Sequence, residues 1–368
     1  MPETNFDLVV IGAGPGGYHA AIRGAQLGLR TAIVEKDDGS GIAGIGGVCL
    51  NWGCIPSKSL LKNAELVNTL SDADDWGISF DNFSADISKA IDRSRRVSAQ
   101  LVQGISYLLK QNKIEVFRGA ATLTSATTVS IDDGTTLTGN SIVISTGARA
   151  RSLPGLEIDG EKIITSREAL ETRVAPEAIG IIGGGAIGAE FAYFFRAYGT
   201  EVTIFEMLPH LVPLEDEDVS VELERAFKKQ GINFVTSARV SGAEKRGDGM
   251  VINYHANGED SEFVCDKVLL GVGVQPNTDS LGLESAGVML DARGFIEIDD
   301  RMQTSAPGVY AVGDVTGKLL LAHVAFAQGV VAAEAIAGRD PEPLDYVNMP
   351  RAVYCEPQVA GVGLTEAQ

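Results

Sequence analysis

Two cysteines five positions apart, Cys49 and Cys54, and the nearby Lys58 have the clearest chemical capacity in the chain. They lie in Gly46-Gly47-Val48-Cys49-Leu50-Asn51-Trp52-Gly53-Cys54-Ile55-Pro56-Ser57-Lys58. Two thiols at this spacing can bridge if the intervening turn is tight, and Gly53 favours such a turn. Pro56 and Ser57 predict a helix start, and a helix N-terminus stabilises the thiolate, the form of cysteine that reacts. The competing reading is a pair of buried, inert thiols. The polar, glycine-rich context and the neighbouring motif described next favour chemistry. Metal ligation is disfavoured, because neither C-x-x-C nor H-x-x-x-H spacing occurs. Cys265 and Cys355 stand singly in apolar contexts and are expected to be inert.

A second constellation occurs twice, 171 positions apart. Phe6–Ile11 leads into Gly12-Ala13-Gly14-Pro15-Gly16-Gly17, and Ile179–Ile182 into Gly183-Gly184-Gly185-Ala186-Ile187-Gly188. Both runs are G-x-G-x-x-G between an apolar strand pattern and a helical one. In such a motif the first glycine makes the turn and the second admits a pyrophosphate. The third lets helix and strand pack closely. The helix N-terminus then offers unpaired N–H groups to phosphate. Each copy continues to a second apolar run ending in an acid, Glu35 or Glu206, 18 residues after the third glycine. An acid there accepts hydrogen bonds from an adenosine ribose. Two dinucleotide sites in one chain point to hydride transfer between two nucleotides.

The surrounding elements must position these groups. Residues 57–70 and 86–112 are predicted helices, the second from apolar residues Ile87, Ile91, Val97, Leu101, Ile105 and Leu108 near a 3.6-residue period. Strands are predicted from Ile114, with a hairpin turn at Asp133-Gly134. Ile142–Ile144 should return to the first sheet and end at Thr146 and Gly147. In the second half, Gly247–Gly249 and Asn257-Gly258 signal turns. Val268–Leu270 then leads to Gly273, and a last strand, Val309–Val312, ends at Gly313-Asp314.

Composition limits the function classes. The 368 residues carry a formal net charge of −19, unsuited to a nucleic-acid-binding face. Hydrophobic residues at 45% and charged residues at 21% fit a folded globular chain rather than a disordered one. No apolar run is long enough to span a bilayer. The N-terminus lacks the basic and apolar regions of a secretory signal, so a cytoplasmic, reducing setting is expected.

The order of the first glycine motif, the Cys49–Lys58 segment, the second glycine motif and Val309-Tyr310-Ala311-Val312-Gly313-Asp314 resembles the flavoprotein pyridine nucleotide-disulfide oxidoreductases along essentially the whole chain. The cysteine segment is most similar to members that oxidise dihydrolipoyl groups. The resemblance implies FAD at Gly12, Gly14, Gly17 and Glu35, with Thr146, Gly147, Asp314, Ala322 and His323 around it. It implies NAD at Gly183, Gly185, Gly188, Glu206 and Gly273. It further implies a redox-active disulfide, with Cys49 exchanging with a dihydrolipoyl group, on a protein or as dihydrolipoamide, and Cys54 facing the flavin. Lys58 and Glu190 resemble the family's ion pair beside the flavin. Two relatives are alternatives. The glutathione reductase type uses NADP, whose 2′-phosphate an acid at Glu206 would repel; the mercuric reductase type typically carries a C-terminal cysteine pair. A non-catalytic FAD- and NAD-binding fragment is a third.

The expected fold is α/β, with two nested Rossmann-like domains of three-layer parallel sheets and small antiparallel meanders. The FAD domain is expected at 1–150 and 275–345, and the NAD domain at 151–274. Residues 346–368 resemble the opening of the family's interface domain, which mediates a homodimer and supplies a His–Glu pair from the other subunit. Thr365 and Gln368 read as a helix-start signal. His210 and Glu215 have H-x-x-x-x-E spacing but are expected in a surface loop, and His255 in a solvated hairpin.

Overall fold

The computed structural model describes residues 4–36 and 44–368. The reading of the N-terminus rests in part on Met1–Glu3, outside the described residues. The chain groups into two compact units. The first holds Met1–Asn51, Ser98–Arg149 and Val274–Met349, and the second Trp52–Val97, Ala150–Gly273 and Pro350–Gln368. Segment 52–97 groups with the second unit because Leu60, Leu61, Ala64, Ile87 and Ile91 join one apolar cluster with Phe191, Phe194 and Phe195.

In the first unit, β1 (Asn5–Ile11) feeds α1 (Pro15–Gln26), and the chain returns through β2 (Thr31–Glu35). α2 (Gly47–Trp52) carries Cys49; α3 (Cys54–Ser71), which carries Cys54, and the start of the long α4 (Ile87–Gln111) belong to the second unit, and α4 ends in the first. β3 (Glu115–Arg118), β4 (Ala121–Ser125), β5 (Thr128–Ile131) and β6 (Thr136–Ile144) complete the sheet in the order β3-β2-β1-β6-β5-β4. β1 is parallel to β2 and β6, whereas β5 meets the first half of β6 antiparallel across the Asp133-Gly134 turn. The strand expected at Val309–Val312 forms at Val309–Ala311 and pairs parallel to the last residues of β6. Val9, Ile11, Val34, Ile142 and Ile144 are fully or almost fully buried in this sheet's core.

The second unit repeats the plan. Its five-stranded parallel sheet runs Ile232–Val235, Glu201–Phe205, Ala178–Ile182, Lys267–Leu270, Ile163–Ile164. After the short α5 (Ser166–Ala169), α6 (Ala186–Ala197) follows the second glycine motif. The repeat holds at the level of register. Leu8 pairs with Thr31 in the first sheet, and Ile179 with Val202 in the second. Gly12 N–H donates to Val34 O and Gly183 N–H to Phe205 O, both at 2.8 Å. A three-stranded antiparallel meander, Arg239–Arg246, Gly249–Ala256 and Glu259–Cys265, is joined at the two signalled turns. Arg351–Val353 and Val359–Gly361 form the last antiparallel pair. Thr365 starts no helix; its N–H donates to Gln368 Oε1 at 3.1 Å within a turn.

Backbone contact makes the third glycine of each motif obligatory. A Cβ on Gly17 would lie 1.9 Å from Gly12 O, and one on Gly188 1.9 Å from Gly183 O. Among the described residues nothing lies within 4 Å of the Cβ position of Gly185. Gly188→Ala must therefore push helix from strand, at roughly 1–3 kcal/mol, and should lower the melting temperature by several degrees. Gly185→Ala should leave melting unchanged and weaken nucleotide binding. Thermal unfolding with and without nucleotide reads both.

Candidate functional site

The cysteine segment is laid against the first glycine motif. Gly46 N–H donates to Ala13 O at 2.7 Å, and a Cβ on Gly47 would lie 2.6 Å from Gly14 Cα. Both glycines have positive φ, 94° and 58°, a conformation side chains resist. The sequence can only make this close turn with glycines, and the turn delivers α2 and Cys49. Buried Asn51 ties the entry, donating to Ile45 O and Gly47 O at 3.0 Å each. Cys54 begins α3, three residues earlier than its sequence pattern predicted, behind Gly53. Cys49 and Cys54 are joined in a disulfide. Cys265 and Cys355 are buried free thiols, pushed up to about 11 and about 12 by burial, so neither supplies thiolate at neutral pH.

The first-unit residues expected around a nucleotide sit at neighbouring loop ends. A Cβ on Gly16 would touch Val312, Ser145 and Ala325, so the β6 exit, the Val309–Ala311 exit and α1 converge. Gly12 turns the chain at φ 98°, and Gly14 caps α1 with no side-chain cap and no acid in the first turn. Glu35 accepts a hydrogen bond from Ala13 N–H. Thr146 and Gly147 are gripped by Asn277, which the sequence reading missed. Thr146 Oγ1 donates to Asn277 O at 2.8 Å, Asn277 Nδ2 to Thr146 O at 2.9 Å, and Asn277 N–H to Gly147 O at 3.0 Å. Ala322 and His323 open the helix Ala322–Ile336. Buried Gln328 on that helix accepts from Gly313 N–H at 2.6 Å and donates to Tyr346 Oη at 3.0 Å, fixing the turn before Asp314. Burial pushes the Asp314 carboxyl up to about 6.

The second motif has the same parts. Gly183 turns at φ 105°, and Gly185 caps α6, again with no side-chain cap. Glu206 is only 7% exposed. Its two oxygens accept from Gly184 N–H at 2.6 Å and Leu208 N–H at 2.8 Å. Gly273, at φ 96°, accepts from Arg151 N–H at 3.2 Å and has open space where a Cβ would sit.

Lys58 on α3 and Glu190 on α6 meet where these helices pack. Lys58 Nζ donates to both Glu190 oxygens, at 2.8 and 2.9 Å. The lysine side chain keeps 38% exposure, the glutamate 8%. Tyr354, a member the sequence reading did not assign, completes the group. Its N–H donates to Glu190 Oε1 at 3.0 Å, and its ring lies 4.8 Å below Lys58 Nζ. Lys58 is therefore held rather than solvated. His210 and Glu215 do not form a pair. His210 Nε2 lies 3.3 Å from Glu217, while Glu215 bonds Arg351 Nε at 2.9 Å and is nearly buried, not a solvated loop acid. His255 is exposed beside Asp260, as its hairpin predicted.

The residues present fit two dinucleotides. Each motif leaves an uncapped helix N-terminus facing a position that carries no side chain, the shape a pyrophosphate needs. Among the described residues nothing donates a hydrogen bond to the Asp314 carboxylate, which suits a hydroxyl donor from a ligand.

Comparison with known proteins gives the class. Residues 6–329 match the family described as pyridine nucleotide-disulphide oxidoreductase. The chain is similar to the crystal structure of LpdA from Mycobacterium tuberculosis, with TM-score 0.89 and 28% identity, covering 99% of this chain and 79% of that one. It is also similar to the Cu(II) complex of the HOCl-induced flavoprotein disulfide reductase RclA from Escherichia coli, with TM-score 0.86 and 29% identity, covering 100% and 79%. The chain belongs to the pyridine nucleotide-disulphide oxidoreductase family. Among its sequence relatives are dihydrolipoyl dehydrogenases. That of Mycobacterium leprae is 48% identical over 99% of this chain and 78% of its own length, and that of Chlorobaculum tepidum 44% identical over 99% and 77%.

Asp314 gives a pH signature. Its folded pKa is raised, so its favourable contribution is complete below the unfolded value near 3.8 and is lost as pH rises through about 6. In the ligand-free chain Asp314→Asn should therefore stabilise at pH 7.5, by up to about 3 kcal/mol, and the gain should vanish as pH falls towards 4. The same substitution should weaken FAD retention. Melting curves across pH on apoprotein, with a flavin-binding titration, check both.

Proposed function

We propose that the chain oxidises dihydrolipoyl groups, on a protein of a 2-oxoacid dehydrogenase or glycine-cleavage system, and reduces NAD to NADH through the Cys49–Cys54 disulfide. The observation that carries this reading is the seating of Gly46 and Gly47 against Ala13 and Gly14, which puts a disulfide at a dinucleotide motif. The 44–48% identity to dihydrolipoyl dehydrogenases supports the substrate.

The chemistry balances as a dithiol–disulfide exchange. One substrate thiolate attacks Cys49 Sγ, the Cys49–Cys54 bond breaks, and Cys54 leaves as the thiolate. The second substrate thiolate displaces Cys49, and the substrate departs as a disulfide, having lost two electrons and two protons. Cys54 stands at the first position of the 18-residue α3, whose N-terminal field stabilises that thiolate. Gly12, Gly14, Gly17, Glu35, Thr146, Gly147 and Asp314 would hold FAD, with Ala322 and His323 beside it, and FAD bound there would supply two-electron transfer between the thiols and NAD. Gly183, Gly185, Gly188, Glu206 and Gly273 hold NAD. Lys58, fixed by Glu190 and Tyr354, offers a positive charge to the reduced state. The division into an FAD domain at 1–150 and 275–345 and an NAD domain at 151–274 belongs to this reading, with 346–368 opening an interface domain. A homodimer in a cytoplasmic setting completes it; among the described residues no helix is long and apolar enough to cross a membrane.

Glu206 should set nucleotide choice. A 2′-phosphate near this buried carboxylate meets repulsion of about 1–3 kcal/mol. Flavin reduction should therefore be several-fold to a hundredfold more efficient with NADH than with NADPH; equal rates would instead favour the glutathione reductase type. Roles of the thiols separate spectroscopically. On two-electron reduction, a long-wavelength thiolate–flavin absorbance should survive Cys49→Ser and disappear in Cys54→Ser. The opposite pattern exchanges the two roles, and no band in wild type removes the disulfide from catalysis.

A further inference from the structure

The loop between the two cysteines holds one aromatic residue, Trp52, at the end of α2. Two guanidinium groups lie over its ring, Arg167 with Cζ 4.3 Å from the centroid and Arg95 with Cζ 4.9 Å. They come from separate elements, α5 and α4. Arg167 is itself anchored by a capping box. Its N–H donates to Thr165 Oγ1 at 3.2 Å, while Glu168 accepts from Thr165 N–H at 2.8 Å and Thr165 Oγ1 at 2.6 Å. Arg95 is half-buried, with Glu171 the acid acting on it. Guanidinium groups stay charged at any pH that leaves the fold intact, and they favour aromatic faces. Two cations from other elements are thus assembled on the indole of the chain segment whose ends form the redox bond.

We propose that Trp52 is a positioning residue of the disulfide loop, and that the Arg95–Trp52–Arg167 stack biases the Cys49–Cys54 couple towards its reduced form. Trp52 follows Cys49 by one helical turn and precedes Cys54 by two residues. When two electrons enter the disulfide, the S–S bond breaks; one sulfur takes a proton and the other remains anionic. The reductant, a dithiol, becomes a disulfide. The reaction thus creates one negative charge close in the chain to Trp52, whose ring carries two fixed positive charges from other elements, and Coulomb attraction lowers the cost of that charge. The ring keeps the guanidinium groups from swinging into solvent. This inference rests on the proposed redox role of Cys49–Cys54.

The test is the equilibrium of the disulfide in the holoprotein, not its turnover. Wild type and variants are equilibrated anaerobically in dithiothreitol buffers of stepped reduced-to-oxidised ratio, quenched by alkylation, and counted for free thiols by mass. Arg167→Gln and Trp52→Leu should each reduce the equilibrium constant for reduction by about three- to tenfold, a potential roughly 15–30 mV more negative. Trp52→Phe keeps a π face and should stay within about twofold of wild type, which a purely structural role for indole volume would not require. Arg167→Lys keeps the charge and should fall between wild type and Arg167→Gln. If Trp52→Leu does not fold, Arg167→Gln decides. The proposal fails if Arg167→Gln titrates like wild type, or if Trp52→Phe shifts as far as Trp52→Leu. A wild-type disulfide that never titrates removes the redox reading and this inference together.

Discussion

The contact between a carbonyl oxygen and a helix backbone, at Gly12 with Gly17 and again at Gly183 with Gly188, is the constraint on which the remaining structure depends. A helix can begin directly at the end of a parallel strand only if the crossing carries no side chain. Once it does, the helix N-terminus opens beside the strand exits, and everything else is arranged around that opening. The neighbouring strand crowds the turn too: a Cβ on Gly12 would meet Ser145 O, and one on Gly183 would meet Gly271 O. In each unit the acid at the next strand's end accepts an N–H from the residue after the first glycine. Glu35 and Glu206 thus brace the loop.

Three carboxylates illustrate how the site manages charge. Glu206 is satisfied by two backbone N–H groups. Glu190 is satisfied by an ammonium and one N–H. Asp314 has burial without a donor, and its carboxyl rises to about 6. A buried acceptor lacking a donor is costly by itself. The turn that holds Asp314 in that state is fixed from behind by Gln328, through Gly313 N–H.

Much of this was legible in sequence because the governing signals are local. Glycine spacing, strand-end acids and the Asp133-Gly134 and Asn257-Gly258 turns each act within a few residues, and their elements formed. The 171-residue repeat could be read down to strand register. Illegible were partners set by tertiary packing. Asn277, Gln328 and Tyr354 hold assigned residues from far away in sequence and carry no periodic or motif signal. Glu215 reads as a loop acid in sequence because nothing near it announces Arg351. Residues 52–97 show helical periodicity that fixes their shape but not their packing; Leu60 and Leu61 settle that against Phe191 and Phe194.

The disulfide closes a very short circuit of chain, joining the middle of one six-residue helix to the first residue of the next. The restraint a cross-link places on an unfolded chain grows with the logarithm of the loop it closes, and a loop this small sits at the low end of that scale. The architecture here is held instead by parallel sheets and backbone contacts at glycine. Opening the bond therefore leaves the scaffold's rigidity almost untouched. A covalent link that is mechanically dispensable can be broken and remade at every cycle without fatigue to the fold.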